Sequence, residues 1–163
     1  MKSLLLTCCF FLLGGPLLAE PHFVILVRHA EKASSTDKDS HLSSTGLERA
    51  KLLAQMLPGS GVTAIFVTEF KRTQETAAPA ARALAITPTI VAGKDTPGLI
   101  GKLHELNGNA LVVGHGNSIP EVLKALGIET PITIGENDYD DLFVVAVEPK
   151  PQLLRLRYPK DRP

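Results

Sequence analysis

The sequence predicts an α/β fold, a three-layer α/β/α sandwich around a mainly parallel central sheet. Three observations predict it. Apolar runs at 24–27, 63–67 and 110–114 read as buried strands, because strands covered on both faces carry continuous rather than alternating hydrophobicity. Stretches of helical period separate these runs, the pattern of crossover connections in a layered α/β domain. Polar residues follow each run at once, where the functional loops of such sheets lie. With 44% hydrophobic residues in 163, the chain supports one core, expected over 20–163.

Residues 1–19 differ in kind. Lys2 precedes an almost wholly apolar stretch from Leu4 to Leu13, Gly14-Gly15-Pro16 breaks it, and Ala19 ends it before Glu20. This reads as a secretory signal peptide cleaved after Ala19. The apolar stretch is short for a membrane span, which takes about 20 residues. The mature chain is therefore expected to be exported, periplasmic or secreted, with no stable membrane insertion. Both cysteines, Cys8 and Cys9, fall inside the segment, so disulfides and cysteine chemistry are excluded from the mature domain.

Phe23–Val27 is the first strand, running straight into Arg28-His29. A long polar loop follows to about residue 44. A helix then starts within Leu42–Glu48, where Thr45 and Glu48 have capping-box spacing. Leu47, Ala50, Leu53, Ala54 and Leu57 form its apolar face, and Pro58-Gly59 stops it. The second strand, 63–67, leads to an alanine-rich helix from about Phe70 to Leu84, which Pro79 should kink or split. A short strand at 89–92 precedes a helix with Pro97 in its first turn. The strand at 110–114 feeds into His115-Gly116-Asn117-Ser118, then a helix from Ile119 to Leu126. Leu142–Val147 and Leu153–Tyr158 read as a late pair of strands, an edge hairpin.

Strand ends thus deliver Arg28 with His29, Arg72 at the start of a helix, and His115. In a parallel sheet these ends lie along one edge, so four basic groups converge. A bound phosphate dianion resolves their mutual repulsion. Guanidinium binds phosphate oxygens bidentately, and imidazole is a competent nucleophile. Gly114 and Gly116 permit close approach of backbone to a ligand, and the helix after Asn117 can turn its N–H groups to an anion. Nucleic acid is not an expected partner: Lys and Arg total 17 against 17 Asp and Glu, and there is no Trp for base stacking.

These blocks also resemble a family. Arg28-His29-Ala30-Glu31, Leu42-Ser-Ser-Thr-Gly46, Thr68-x-x-x-Arg72-Thr-x-x-Thr76-Ala77 and Gly114-His115-Gly116-Asn117-Ser118 look like the signature blocks of the histidine phosphatase (phosphoglycerate mutase-like) superfamily, in order, over about 23–147. The nearest likeness is to its small exported bacterial members. The resemblance implies a phosphatase acting through a phosphohistidine on His29. Arg28, Arg72 and His115, with Gly116 and Asn117, would bind the phosphoryl oxygens, and no metal or other cofactor would be needed. The substrate would be a phosphorylated small molecule or envelope component.

Other roles stay open at this level. Glu31 either pairs with Arg28 or Arg72 or faces water. The general acid is unassigned, because Gly116 follows His115 where some members carry Asp. Asp95 lies in the other usual loop, as an acid or as a helix N-cap. Without an acid, phosphoramidates or acidic phosphoesters would be favoured. Glu136, Asp138, Asp140 and Asp141 lack the pattern of a calcium loop and read as a solvated turn. The alternatives to a phosphatase are a non-catalytic phosphoryl-binding module, or a phosphomutase, which needs a bisphosphate primer and a closing insertion.

Overall fold

The computed structural model of the chain describes residues 22–147 and 149–158; the expected signal segment lies outside them. In chain order the elements are β1 (Phe23–Arg28), α1 (Ser44–Met56), β2 (Val62–Val67), α2 (Lys71–Leu84), β3 (Thr89–Ile90), α3 (Thr96–His104), β4 (Asn109–Gly114), α4 (Ser118–Ala125), β5 (Asp141–Ala146) and β6 (Gln152–Arg157). The sheet order is β3-β2-β4-β1-β5-β6. The first four strands in that order run parallel, and β5 and β6 add an antiparallel hairpin.

Alternation along β1 divides the core. Val24 and Leu26 face a layer with Leu99 and Leu103 of α3 and Ile119, Val122 and Leu123 of α4. Ile25 and Val27 face a second layer with Leu53 of α1 and Ala77, Ala80 and Ala81 of α2. Small alanines let α2 lie close to the sheet. Fully burying a large aliphatic side chain contributes about 1.5–3 kcal/mol, so these two layers hold the strand ends in register.

Four local expectations change. The cap of α1 is Ser43, whose hydroxyl accepts from the Gly46 N–H at 3.1 Å; with glycine at that third position, the Thr45–Glu48 capping box does not form. The buried face of α1 carries Gly46, Arg49, Ala50 and Leu53, while Leu47 is exposed. Helix α2 runs through Pro79 as one element, so it is not split there. β3 stops at Ile90. Among the described residues no helix is long and apolar enough to cross a membrane.

Candidate active site

Strand register creates the site. Arg28 sits opposite Gly114, so the carboxyl ends of β1 and β4 lie side by side. The His29 N–H donates to the Gly114 carbonyl at 2.9 Å, extending the ladder one residue past the strand. β2 flanks β4 on its other side and brings in Thr68 through Arg72. Arg28, His29, Arg72, His115, Gly116 and Asn117 line one open cleft, with Glu69, Phe70 and Lys94 on its wall.

The two histidines are held by opposite nitrogens. His29 Nδ1 lies 2.8 Å from the Ala30 carbonyl oxygen. A carbonyl only accepts, so Nδ1 carries the proton and Nε2 keeps its lone pair. His115 Nδ1 lies 3.4 Å from Arg72 Nη2, which only donates. Its proton therefore sits on Nε2, 3.0 Å from Thr68 Oγ1. Thr68 Oγ1 lies 3.0 Å from Thr73 Oγ1, which donates to the Phe70 carbonyl at 2.8 Å. That relay fixes the direction of each hydroxyl.

Both rings are neutral at ordinary pH. Burial pushes His29 from 6.5 down to about 3; repulsion from His115, Arg28 and Arg72 adds to it, against the pull of the Ala30 hydrogen bond. Burial and the neighbouring Arg72 push His115 down to about 4, with Glu69 opposing. The ring centroids are 5.4 Å apart.

The arginines are tethered through backbone carbonyls. Arg28 Nη1 donates to Gly135 at 2.7 Å and Glu136 at 2.9 Å, and its guanidinium lies 4.4 Å from the centre of the Tyr139 ring. A Cβ on Gly116 would stand 3.6 Å from Arg28 Nε and Cζ, in contact with that guanidinium. Arg72 Nη1 donates to the Lys38 carbonyl at 2.9 Å, and its guanidinium stacks 4.3 Å from the centre of Phe70. The Nε atoms of Arg28 and Arg72 are both buried without a hydrogen-bond partner. Burial lowers the Arg72 pKa, Asp39 and Glu69 pull it back up, and Arg28 opposes them.

Glu31 takes neither of its expected places. It forms a bidentate pair with Arg49 of α1, at 2.9 and 2.7 Å, and that arginine is buried. Burial opposes the Arg49 charge, but the Glu31 hydrogen bonds and charge outweigh it and raise its pKa. The Glu31 carbonyl accepts from Ser43 N–H at 2.9 Å. Gly46 is required beside it, since a Cβ there would stand 2.3 Å from that oxygen. Thr76 Oγ1 accepts from the Ala30 N–H at 2.9 Å and donates to the Arg72 carbonyl at 2.7 Å. The peptides on either side of the one that orients His29 are thus clamped, one by Thr76 of α2 and one by the N-cap of α1. The loop before α1 is tied down as well: Asp39 accepts from Lys71 N–H at 2.9 Å, and His41 pairs with Glu75.

Asp95 is the N-cap of α3, accepting from Gly98 N–H at 2.9 Å, and it does not line the cleft. The acidic turn is only partly solvated. Asp141 is buried in a bidentate pair with Arg155 at 2.8 Å, and Asp138 accepts from Gly135 N–H at 2.9 Å. Sequence reasoning missed Glu69, Phe70, Lys94 and Tyr139 at or beside the cleft. Adjacency to Arg72 was the one available signal for the first two.

The family model for the histidine phosphatase superfamily (branch 1) matches residues 24–93, spanning β1 to the loop after β3. Over that stretch, less than half of the chain, the sequence is similar to the histidine phosphatase superfamily. Solved structures share its fold. The protein histidine phosphatase SixA complexed with tungstate aligns with a TM-score of 0.69 at 18% identity, covering 83% of this chain and 96% of that one. The mycobacterial glucosyl-3-phosphoglycerate phosphatase in complex with inorganic phosphate aligns at 0.68 and 13%, covering 85% and 98%. Phosphoserine phosphatase from Entamoeba histolytica, in complex with 3-phosphoglyceric acid, aligns at 0.66 and 16%, covering 85% and 98%. No curated protein matches the chain.

Proposed function

We propose that the protein is a phosphatase that hydrolyses phosphomonoesters or phosphoramidates through a phosphohistidine on His29. The observation that carries this reading is the Nδ1–H bond of His29 to the Ala30 carbonyl, which leaves a neutral Nε2 lone pair beside two guanidiniums. Nε2 attacks phosphorus, the bond to the leaving group breaks, and water later displaces the phosphoryl group from nitrogen. Arg28 and Arg72 hold the equatorial oxygens, where charge is spread in the transition state, and His115 donates to them from Nδ1 once the dianion has drawn a proton there. The reading calls for no metal, because the guanidiniums neutralise the dianion.

The fit to an anion is supported by the two unpartnered Nε–H donors. Leaving such a donor buried and unpaired costs about 1–3 kcal/mol, which an accepting oxygen offsets. Two structural neighbours, a protein histidine phosphatase and a phosphoserine phosphatase, agree with this reading in class. Export, read from residues 1–19, makes an extracytoplasmic phosphomonoester or a phosphorylated envelope component the matching substrate source.

The test is turnover of p-nitrophenyl phosphate and a phosphoester panel by the mature protein beside His29→Ala, with trapping of labelled enzyme. Turnover by wild type alone, with an acid-labile and base-stable label, is expected. Activity surviving in His29→Ala would remove the nucleophile assignment. Tight vanadate binding without any turnover would instead favour the phosphoryl-binding module.

A further inference from the structure

Asp95 is engaged at a helix end, so the leaving group needs another proton source if it is a poor one. Two carboxylates line the cleft, Glu69 and Glu136. They are not equivalent. Glu69 lies two residues past the end of β2, and its Oε2 accepts from the Gly93 N–H at 2.8 Å. One carboxylate oxygen is thereby fixed, and Oε1 is left for another partner. A Cβ on Gly93 would stand 3.5 Å from both Glu69 Oε2 and His115 Nε2, so the carboxylate sits beside the histidine. No hydrogen bond or ion pair among the described residues holds the Glu136 carboxylate, and its backbone carbonyl serves Arg28.

We infer that Glu69 is the general acid–base of this site, protonating the leaving oxygen of an alkyl phosphomonoester; this rests on the phosphatase reading above. The phosphoryl group lies against His29 and the guanidiniums, so its ester oxygen points to the mouth, where Glu69 stands. His29 Nε2 forms the P–N bond, the P–O ester bond breaks, and the Glu69 carboxyl proton goes to the departing alkoxide. In the second half the Glu69 carboxylate takes a proton from water as that water's oxygen bonds to phosphorus. The P–N bond breaks, its electron pair returns to Nε2, and inorganic phosphate leaves with Glu69 protonated again. The balance closes without another reactant. The site is therefore suited to alkyl phosphomonoesters, beyond those with acidic leaving groups.

The test is the leaving-group dependence of Glu69→Gln. Glutamine keeps an acceptor for Gly93 N–H, and residue 69 is exposed, so folding is preserved. General acid–base catalysis contributes about 10²–10⁴-fold. The variant should lose about 10²-fold or more in kcat/KM on glycerol phosphate and roughly tenfold or less on p-nitrophenyl phosphate. Glu69→Asp should restore part of the alkyl-phosphate activity. Asp95→Asn should leave the leaving-group dependence as in wild type. Equal losses on both esters, or the dependence appearing in Asp95→Asn, would overturn the assignment while wild-type turnover keeps the phosphatase reading intact. A wild type inert on every ester overturns both.

Discussion

The carboxyl ends of β1 and β4 lie side by side and each presents a buried histidine, yet the two rings are wired in opposite senses. At the β1 end the acceptor is a backbone carbonyl on the next residue, and it takes the proton on Nδ1. At the β4 end the acceptor is the side-chain hydroxyl of Thr68, just past the end of β2, and it takes the proton on Nε2. The first arrangement exposes a lone pair with no cation donating to it. The second turns its lone pair to Arg72. Identical side chains acquire different chemistry from the second nitrogen's partner, which strand register alone does not determine.

The largest expected effect comes from erasing the β1 member. His29→Ala should lower turnover on the order of 10⁴- to 10⁶-fold, the range seen when a nucleophile is deleted. Vanadate binding should survive in it, because both arginines remain. His115→Ala should cost about 10²–10³-fold in kcat, typical of one charge-stabilising donor, and still form the phosphoenzyme. Steady-state kinetics with label trapping separates them, and equal losses with no label in either would erase the distinction between the rings.

How far this pair was legible in the sequence follows from what carries it. Arg28-His29 and Gly114-His115-Gly116 stand at the ends of apolar runs, and a parallel sheet allows such ends one edge. The fold and the basic cluster could be read for that reason. The wiring could not, because its partners are the Ala30 carbonyl and a threonine hydroxyl, and backbone acceptors leave no mark in residue identity. Arg28 is likewise held by the carbonyls of Gly135 and Glu136, about a hundred residues away. Arg49 lies outside the apolar set Leu47, Ala50, Leu53, Ala54 and Leu57, yet it is buried. Its ion pair with Glu31 turns the helix so that Leu47 faces water instead. Asp95 shows the same limit: a carboxylate two residues before Pro97 is compatible with an acid and with a cap, and only the Gly98 contact decides.

A smaller effect is expected from the relay behind His115. Thr68→Val keeps the shape but removes the acceptor of Nε2–H and leaves that donor buried. A hydrogen bond of this kind is worth about 1.5 kcal/mol, so kcat/KM should fall about tenfold. The loss should vanish in a His115→Ala background, because the two side chains act as one unit. A double-mutant cycle measures this, and full additivity would break the link between Thr68 and the ring.

The smallest effect asks whether both rings are neutral in the folded site. Their folded pKa values, about 3 and about 4, lie below the ordinary 6.5. The unfolded chain then binds more protons than the native one as pH falls below 6.5. Stability contributed by the neutral rings is full above that pH and is lost as pH falls toward the folded values. Each ring can contribute a slope of up to about 1.4 kcal/mol per pH unit in this window. Urea unfolding between pH 7 and 5 should therefore show a steeper decline for wild type than for His115→Asn. Saturating phosphate should flatten the wild-type slope, because a dianion between the guanidiniums favours the protonated ring. An unchanged slope in His115→Asn would mean that the ring is already charged when the site is empty, and the two strand ends would then differ in protonation as well as in tautomer.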